Sequence, residues 1–275
     1  MMKCPLCKGN NTAIHKQYSR GFIHNAYRID PLFDNQIVKD KLLCWNTLID
    51  VTQDITCDIN LYRCNDCDLR FYEPPVMGGS NFYSQLQAFP WYYQLVKPEF
   101  EFAKKYIIPD DTVLEIGCGE GYFGQMIEAK YVGLDPYSQN PKVVKQSIQE
   151  HTGSYDVVCG FQVLEHVSDT GSFISNALRC LRTNGLLILS VPNEDSFLGN
   201  IEGWALNYPP HHVTRFTKQC LENIAQLYKL KLVEIDEEPL LDFHRSLLDN
   251  HRYTIIDSNI NYSIGHTVIA VYKKI

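Results

Sequence analysis

Val113-Leu-Glu-Ile-Gly-Cys-Gly-Glu-Gly-Tyr-Phe-Gly124 is the stretch from which the fold is read. It begins as an apolar run ending in an acid and continues with glycine at every second position. Val113, Leu114 and Ile116 suit a strand buried on both faces, the condition of parallel strands in α/β proteins. Gly117, Gly119 and Gly121 tolerate positive φ and carry no Cβ where a ligand must lie against the main chain. Tyr122 to Ala129 then reads as a helix whose free N-terminal amides face that ligand. Gly119, Gly121 and Gly124 also satisfy G-x-G-x-x-G, by itself a weak dinucleotide signal. Three features weigh against a dinucleotide. The glycines begin one pair earlier, at Gly117. Glu115 stands at the strand end. The next acid, Asp135, arrives sooner than the roughly 20 residues usual after a nicotinamide fingerprint.

Outward from this segment, strands and helices alternate through residues 112–235, the pattern of a parallel doubly wound sheet. Ligands of such sheets bind beyond the carboxyl ends of the strands. Glu115, the glycines, Asp135 and Phe161-Gln162 all fall at strand carboxyl ends on this reading, so they converge on one cleft.

Glu115-Ile-Gly-Cys-Gly-Glu-Gly121 resembles motif I of the class I S-adenosylmethionine-dependent methyltransferases. Tyr131-Val-Gly-Leu-Asp135 is similar to their second strand, Tyr155-Asp-Val-Val-Cys-Gly-Phe-Gln-Val-Leu-Glu-His166 to the fourth strand and following helix start, and Arg182-Thr-Asn-Gly-Leu-Leu-Ile-Leu-Ser-Val-Pro192 to the turn and fifth strand. The resemblance covers about residues 110–235. It implies a Rossmann-like α/β fold with a seven-stranded, mostly parallel sheet. It also implies S-adenosylmethionine as cofactor, held by Glu115, Gly117, Cys118, Gly119, Gly121, Asp135, Pro136, Ser147, Ile148, Phe161 and Gln162. Asp135 would accept the ribose hydroxyls, and its charge would strengthen those bonds. Glu115 and the main chain at Phe161 and Gln162 would face the methionine end. Ser147 and Ile148, after a weakly written third strand at about 142–147, would lie near the adenine. Glu165 and His166 form the LEH signature of small-molecule members; their other reading is helix-start capping.

Methyl transfer from a sulfonium chiefly requires that the acceptor be held in line and water excluded. A base is needed only for a poorly acidic acceptor. After the fifth strand, 193–216 reads as a lid insertion containing Trp204, Tyr208, Pro209, Pro210, His211, His212 and Arg215. His211 and His212 are the general-base candidates, with His166 beside them in the catalytic set. The competing reading is a rigid Pro-Pro turn whose histidines satisfy loop carbonyls. A paired-histidine metal site is discounted, because no carboxylate lies nearby at suitable spacing.

Cys4-Pro-Leu-Cys7 and Cys64-Asn-Asp-Cys67 are two C-x-x-C knuckles. Four thiolates complete a closed tetrahedral zinc site, which has no open position and therefore folds the chain without catalysing. Chance pairing and a redox C-x-x-C are the alternatives. Residues 1–75 thus read as a zinc-ribbon-like module, and 76–275 as the catalytic domain. The latter has an aromatic helical lead-in at 81–106, a core at 107–235 and C-terminal strands to 275. Cys118, Cys159 and Cys180 read as small apolar fillers.

The chain has 275 residues, with 32 acidic against 25 basic and a formal charge of −7. No dense Lys/Arg run is present, so a nucleic-acid partner is not expected. The start carries no signal-peptide pattern and no apolar run spans a membrane, so a cytoplasmic location without membrane attachment is expected. The leading function is methyl transfer to a small-molecule acceptor such as a nucleotide-linked sugar, glycan or natural product. Quinone or phenol O-methylation competes with it. A noncatalytic cofactor-binding protein docking a partner through its zinc module, and a nicotinamide oxidoreductase, are the readings from other classes.

Overall fold

The computed structural model describes residues 2–29, 36–38, 41–43, 55–87, 89, 92, 94–242, 245, 254–255 and 263–275. The chain opens with β1 (Thr12–Tyr18), α1 (Arg20–Ile29), the hairpin β2 (Gln36–Val38) and β3 (Lys41–Leu43), then β4 (Ile59–Cys64) and β5 (Arg70–Glu73). Two short helices follow, α2 (Ser80–Leu86) and α3 (Pro98–Lys104). The main sheet is then built from β6 (Thr112–Ile116), β7 (Lys130–Leu134), β8 (Tyr155–Phe161), α4 (Thr170–Cys180) and β9 (Leu181–Pro192). Next come β10 (Ile201–Glu202), β11 (Thr214–Arg215), α5 (Lys218–Leu227), β12 (Leu230–Pro239), β13 (Thr254–Ile255) and β14 (Ile264–Lys274).

The main sheet has six strands in the order β12-β14-β9-β8-β6-β7. β6 to β9 are parallel, and β14 runs antiparallel to both its neighbours. Side chains alternate between two apolar layers, as strand geometry requires. Val113, Val157 and Ile188 join Phe100, Phe102 and Phe123 on one side; Leu114, Val158 and Leu187 join the buried faces of α4 and α5 on the other. Pro98 occupies the first turn of α3, where its missing N–H costs nothing, and Thr217 caps α5 by accepting from Cys220 N at 3.0 Å.

Two expected elements are not found. Among the described residues no seventh strand forms; the weakly written segment contributes only a parallel bridge between Leu134 and Val144. Polar Lys142, Lys145 and Gln146 flank Val143 there, and only Val143 of these is buried. Nor is Tyr122 to Ala129 an α-helix. It is a single 3₁₀ turn over Phe123–Gln125. Phe123 is fully buried between Phe100 and Phe161, and the Tyr131 ring lies against Gly124, where a Cβ would stand 2.5 Å from it.

A second sheet, β1-β4-β5-β11, joins the N-terminal strands to the insertion after β9. Thr214 pairs with Phe71 and Arg215 with Arg70. The junction encloses Arg215, which is 7% exposed. Its guanidinium lies between the Tyr72 and Tyr208 rings, donates to Tyr72 Oη, and reaches Glu194 at 3.0 Å; Arg70 meets the same carboxylate at 2.9 Å. Burial pushes Glu194 up, but the two guanidinium groups prevail and hold it below the usual carboxylate range.

Candidate functional site

The glycine loop after β6 is left-handed at all three expected positions, Gly117 (φ +69°), Gly119 (φ +55°) and Gly121 (φ +74°). At Gly117 a Cβ would stand 2.4 Å from Val163 Cγ2, so only hydrogen fits. The amides of Gly117 and Cys118 both donate to Leu134 O, at 2.8 and 3.1 Å, which clamps the loop onto the end of β7. Buried Cys118 faces Gly133.

Asp135 lies at the carboxyl end of β7, 8% exposed. Its Oδ2 accepts from Gly119 N at 2.9 Å and its Oδ1 from Tyr137 N at 2.8 Å. An ionised carboxylate has about four lone-pair sites, so further acceptor capacity remains. Burial raises its pKa against the opposing pull of those amides. Exposed Pro136 begins the turn that carries Tyr137. The loop is tied again by Glu120, a residue the sequence reading passed over. Its carboxylate accepts from Gln139 N at 3.1 Å and its carbonyl from Asn140 Nδ2 at 2.8 Å.

Glu115 is buried and accepts the Tyr131 hydroxyl; burial lifts its pKa to about 8. Phe161 points into the layer beneath, against Phe100 and Phe123. Gln162 is left-handed (φ +55°), with its N donating to Ser190 O at 3.0 Å and its buried Nε2 lacking a protein partner. The opened loop, the acid at β7 and this unsatisfied amide at β8 suit a polar ligand lying across the strand ends. Ser147 is committed to Glu150, through N at 3.2 Å and Oγ at 3.1 Å, and Ile148 is a core residue.

His166, in the 3₁₀ turn Leu164–His166, meets His211 and His212 from the insertion. Ring centroids are 4.5 Å apart for 166–211, 5.1 Å for 166–212 and 4.5 Å for 211–212. Val213 N donates to Glu165 O at 2.9 Å, pinning the two segments together. Burial keeps all three rings neutral: His166 is lowered to about 4 and the other two well below the ordinary histidine value. Helix α2 spans this cluster and the Asp135 loop. Tyr83 stacks on Tyr137 at 5.4 Å and meets His166 edge-on at 5.9 Å, while Phe82 lies 6.0 Å from His211. The sequence reading grouped the three histidines as catalytic candidates but gave no signal for their ring-to-ring contact or for Tyr83 joining them.

Cys4, Cys7, Cys64 and Cys67 also come together, with all four sulfurs within 4.8 Å of one another. Cys4–Cys67 and Cys7–Cys64 are each 3.5 Å apart, close to the ~3.8 Å edge of a tetrahedron with ~2.3 Å metal–sulfur bonds. The two knuckles repeat one turn: Lys8 N donates to Cys4 O at 3.0 Å and Asp68 N to Cys64 O at 2.9 Å. Lys8 and Asp68 are both left-handed.

A glycine loop and an acid at adjacent strand ends of a doubly wound sheet define a nucleotide-cofactor-binding α/β protein. Residues 90–235, just over half of the chain, match the family described as "Methyltransferase domain". The chain therefore belongs to the S-adenosylmethionine-dependent methyltransferase family. It is 35% identical over 101 residues to a probable S-adenosylmethionine-dependent methyltransferase of Mycolicibacterium smegmatis, covering 31% of this chain and 39% of that relative. A ubiquinone biosynthesis O-methyltransferase of Sodalis glossinidius is 28% identical over 184 residues, 57% of this chain and 72% of the relative. Among solved structures, the 1,6-didemethyltoxoflavin-N1-methyltransferase of Burkholderia thailandensis shares the fold at a TM-score of 0.52 and 15% identity, covering 71% of this chain and 86% of that one. Among the described residues, no helix is long and apolar enough to cross a membrane.

Proposed function

We propose that this chain transfers the methyl group of S-adenosylmethionine to a small-molecule acceptor bound beneath α2. One observation carries the reading. Tyr83 touches both Tyr137, two residues beyond Asp135, and His166, so one side chain links the acid's loop to the three imidazoles. Held by Asp135, the glycine loop and Gln162, the cofactor would supply an activated methyl carbon on a sulfonium whose departing sulfur is a neutral thioether.

Asp135 grips the ribose diol while its amide partners fix the loop. Gly117, Gly119 and Gly121 admit the cofactor's main body, with Cys118 and Pro136 shaping the loop edges. Gln162, with Phe161 and Glu115 behind it, orients the methionine end. Ser147 and Ile148 border the adenine side. Tyr83 and Phe82 exclude water, which keeps the sulfonium from hydrolysis and strengthens every polar contact in the cleft. His211, His212 and His166 line the acceptor side of the cleft, where the acceptor's proton must leave. The four cysteines hold a structural zinc ion that ties the turn at Cys4–Cys7 to the β4–β5 turn. Reduced thiols and a small-molecule acceptor suit a cytoplasmic setting.

For the acceptor, aromatic walls from Tyr83, Phe82 and Tyr137 favour a planar ring, and the Sodalis relative's name points to a phenol or quinone precursor. A nucleotide-linked sugar, glycan or natural product is the second reading, favoured by the cysteine-bearing N-terminal segment. Incubation with methyl-labelled cofactor and parallel panels of phenols and nucleotide sugars tests both. Label entering one panel assigns the class; no label in either, with cofactor binding intact, makes the chain a noncatalytic binder.

A further inference from the structure

We propose that His166, His211 and His212 bind one divalent transition-metal ion at the acceptor side of the cleft. The inference rests on the methyl-transfer reading above only for what the ion does, not for its binding. One ring nitrogen of each histidine lies within 4.8 Å of those of the other two, a bound that the four cysteine sulfurs also meet. Three imidazoles are the protein ligand set of open zinc sites, where a fourth position is left for water or substrate. Imidazole nitrogen selects zinc, copper, iron or nickel over magnesium and calcium.

The rings are also held as ligands are held. His166 Nδ1 donates to the His211 carbonyl at 2.6 Å, and His211 Nδ1 donates to the Leu206 carbonyl at 3.0 Å. A carbonyl only accepts, so the proton of each ring is on Nδ1 and the lone pair on Nε2. Such outer contacts fix the tautomer of metal-binding histidines. His212 Nδ1 faces Asn207 Oδ1 at 3.5 Å, a looser version of the same arrangement. The Tyr92 hydroxyl lies 3.3 Å from His211 Nε2, long for a hydroxyl donor, so it competes weakly for that lone pair.

Geometry gives a second indication. Glu165 is 1% exposed, its Oε1 lies 3.8 Å from His166 Nε2, and its buried Oε2 has no hydrogen-bond partner, so an oxygen ligand stands beside the three rings. The discounted histidine pair thus acquires both a third ring and a carboxylate, from a segment 45 residues earlier in the chain. An ion there would coordinate an acceptor hydroxyl and lower its pKa, releasing the proton to water before the oxygen attacks the methyl carbon.

The test uses the full chain carrying one equivalent of zinc, taken up by the four-thiolate site. Cobalt(II) is titrated in, with bound stoichiometry, visible absorption and S-adenosylhomocysteine binding read on the same samples. The expected result is one further equivalent of cobalt with ligand-field bands and no thiolate charge-transfer band. His166→Gln and His212→Gln should each weaken it by more than the ~10–100-fold that loss of an outer-shell partner causes. Pulsed electron paramagnetic resonance of the copper(II)-loaded wild type needs no variant and should detect three imidazole nitrogens. No further equivalent, equal binding by folded variants, or coupling to fewer than three imidazoles would overturn the site. Metal uptake without S-adenosylhomocysteine binding supports the site and removes the methyl-transfer reading; the converse does the reverse.

Discussion

Asp135 has two tasks that pull on the same carboxylate. It fixes Gly119 and Tyr137 through their amides, and on our proposal it accepts the ribose diol. Asp135→Ala should therefore weaken cofactor binding by ~1–3 kcal/mol, the range for hydrogen bonds to charged groups. Calorimetry with S-adenosylhomocysteine measures this, and unchanged affinity would remove the ribose role. Glu115 makes a prediction about pH. Burial is the main reason its pKa rises from 4.5 to about 8, so the folded state binds a proton that the unfolded state has already released. Between those values stability must fall as pH rises. Glu115→Gln, a permanent mimic of the protonated form, should flatten the decline in Tm between pH 6.5 and 8; an unchanged slope would mean the carboxyl is ionised in the fold.

At the scale of elements, the loop after β6 was legible and the turn after it was not. Alternate glycines announce positive φ, because that backbone region excludes most other residues. The 3₁₀ turn at Phe123–Gln125 was hidden, since Phe123 and Gly124 answer to Phe100, Phe161 and Tyr131, partners set by the sheet and not by the segment's own pattern. Gly117→Ala should cost at least ~1–2 kcal/mol from the left-handed backbone alone. The clash with Val163 adds to that, so Val163→Ala should recover part but not all of the lost Tm. The β5–β11 pairing yields a sharper case. Arg215 and Arg70 share Glu194, and Arg215→Met leaves a buried acid with one partner. A loss of ~3–5 kcal/mol is expected, as when one member of a buried ion pair is removed. Denaturant unfolding reads it, and a change below ~1 kcal/mol would place the pair among those that contribute little.

Across the whole molecule, the knuckles were visible as spacing, while their docking was not. Cys4, Leu6, Cys67 and Phe71 pack in the same apolar layer as Leu164, Phe216 and Leu221. No local periodicity carries that information, because it joins residues from opposite ends of the chain. The three histidines were grouped as candidates from the sequence, but their ring-to-ring contact was not, since it joins the turn after β8 to the insertion after β9. Cys64→Ser should lower zinc content and Tm together, in one cooperative transition rather than a separate early melt of residues 1–75. A variant that is zinc-free and equally stable would reject the structural ion.

Tyr72 and Arg215, bonded across the small sheet, are 143 positions apart in the chain. During synthesis the leading strands must therefore wait, one edge unpaired, until most of the polypeptide has left the ribosome. Chains arrested before residue 214 should be prey to proteases and chaperones, and release of β11 should end that vulnerability in one step.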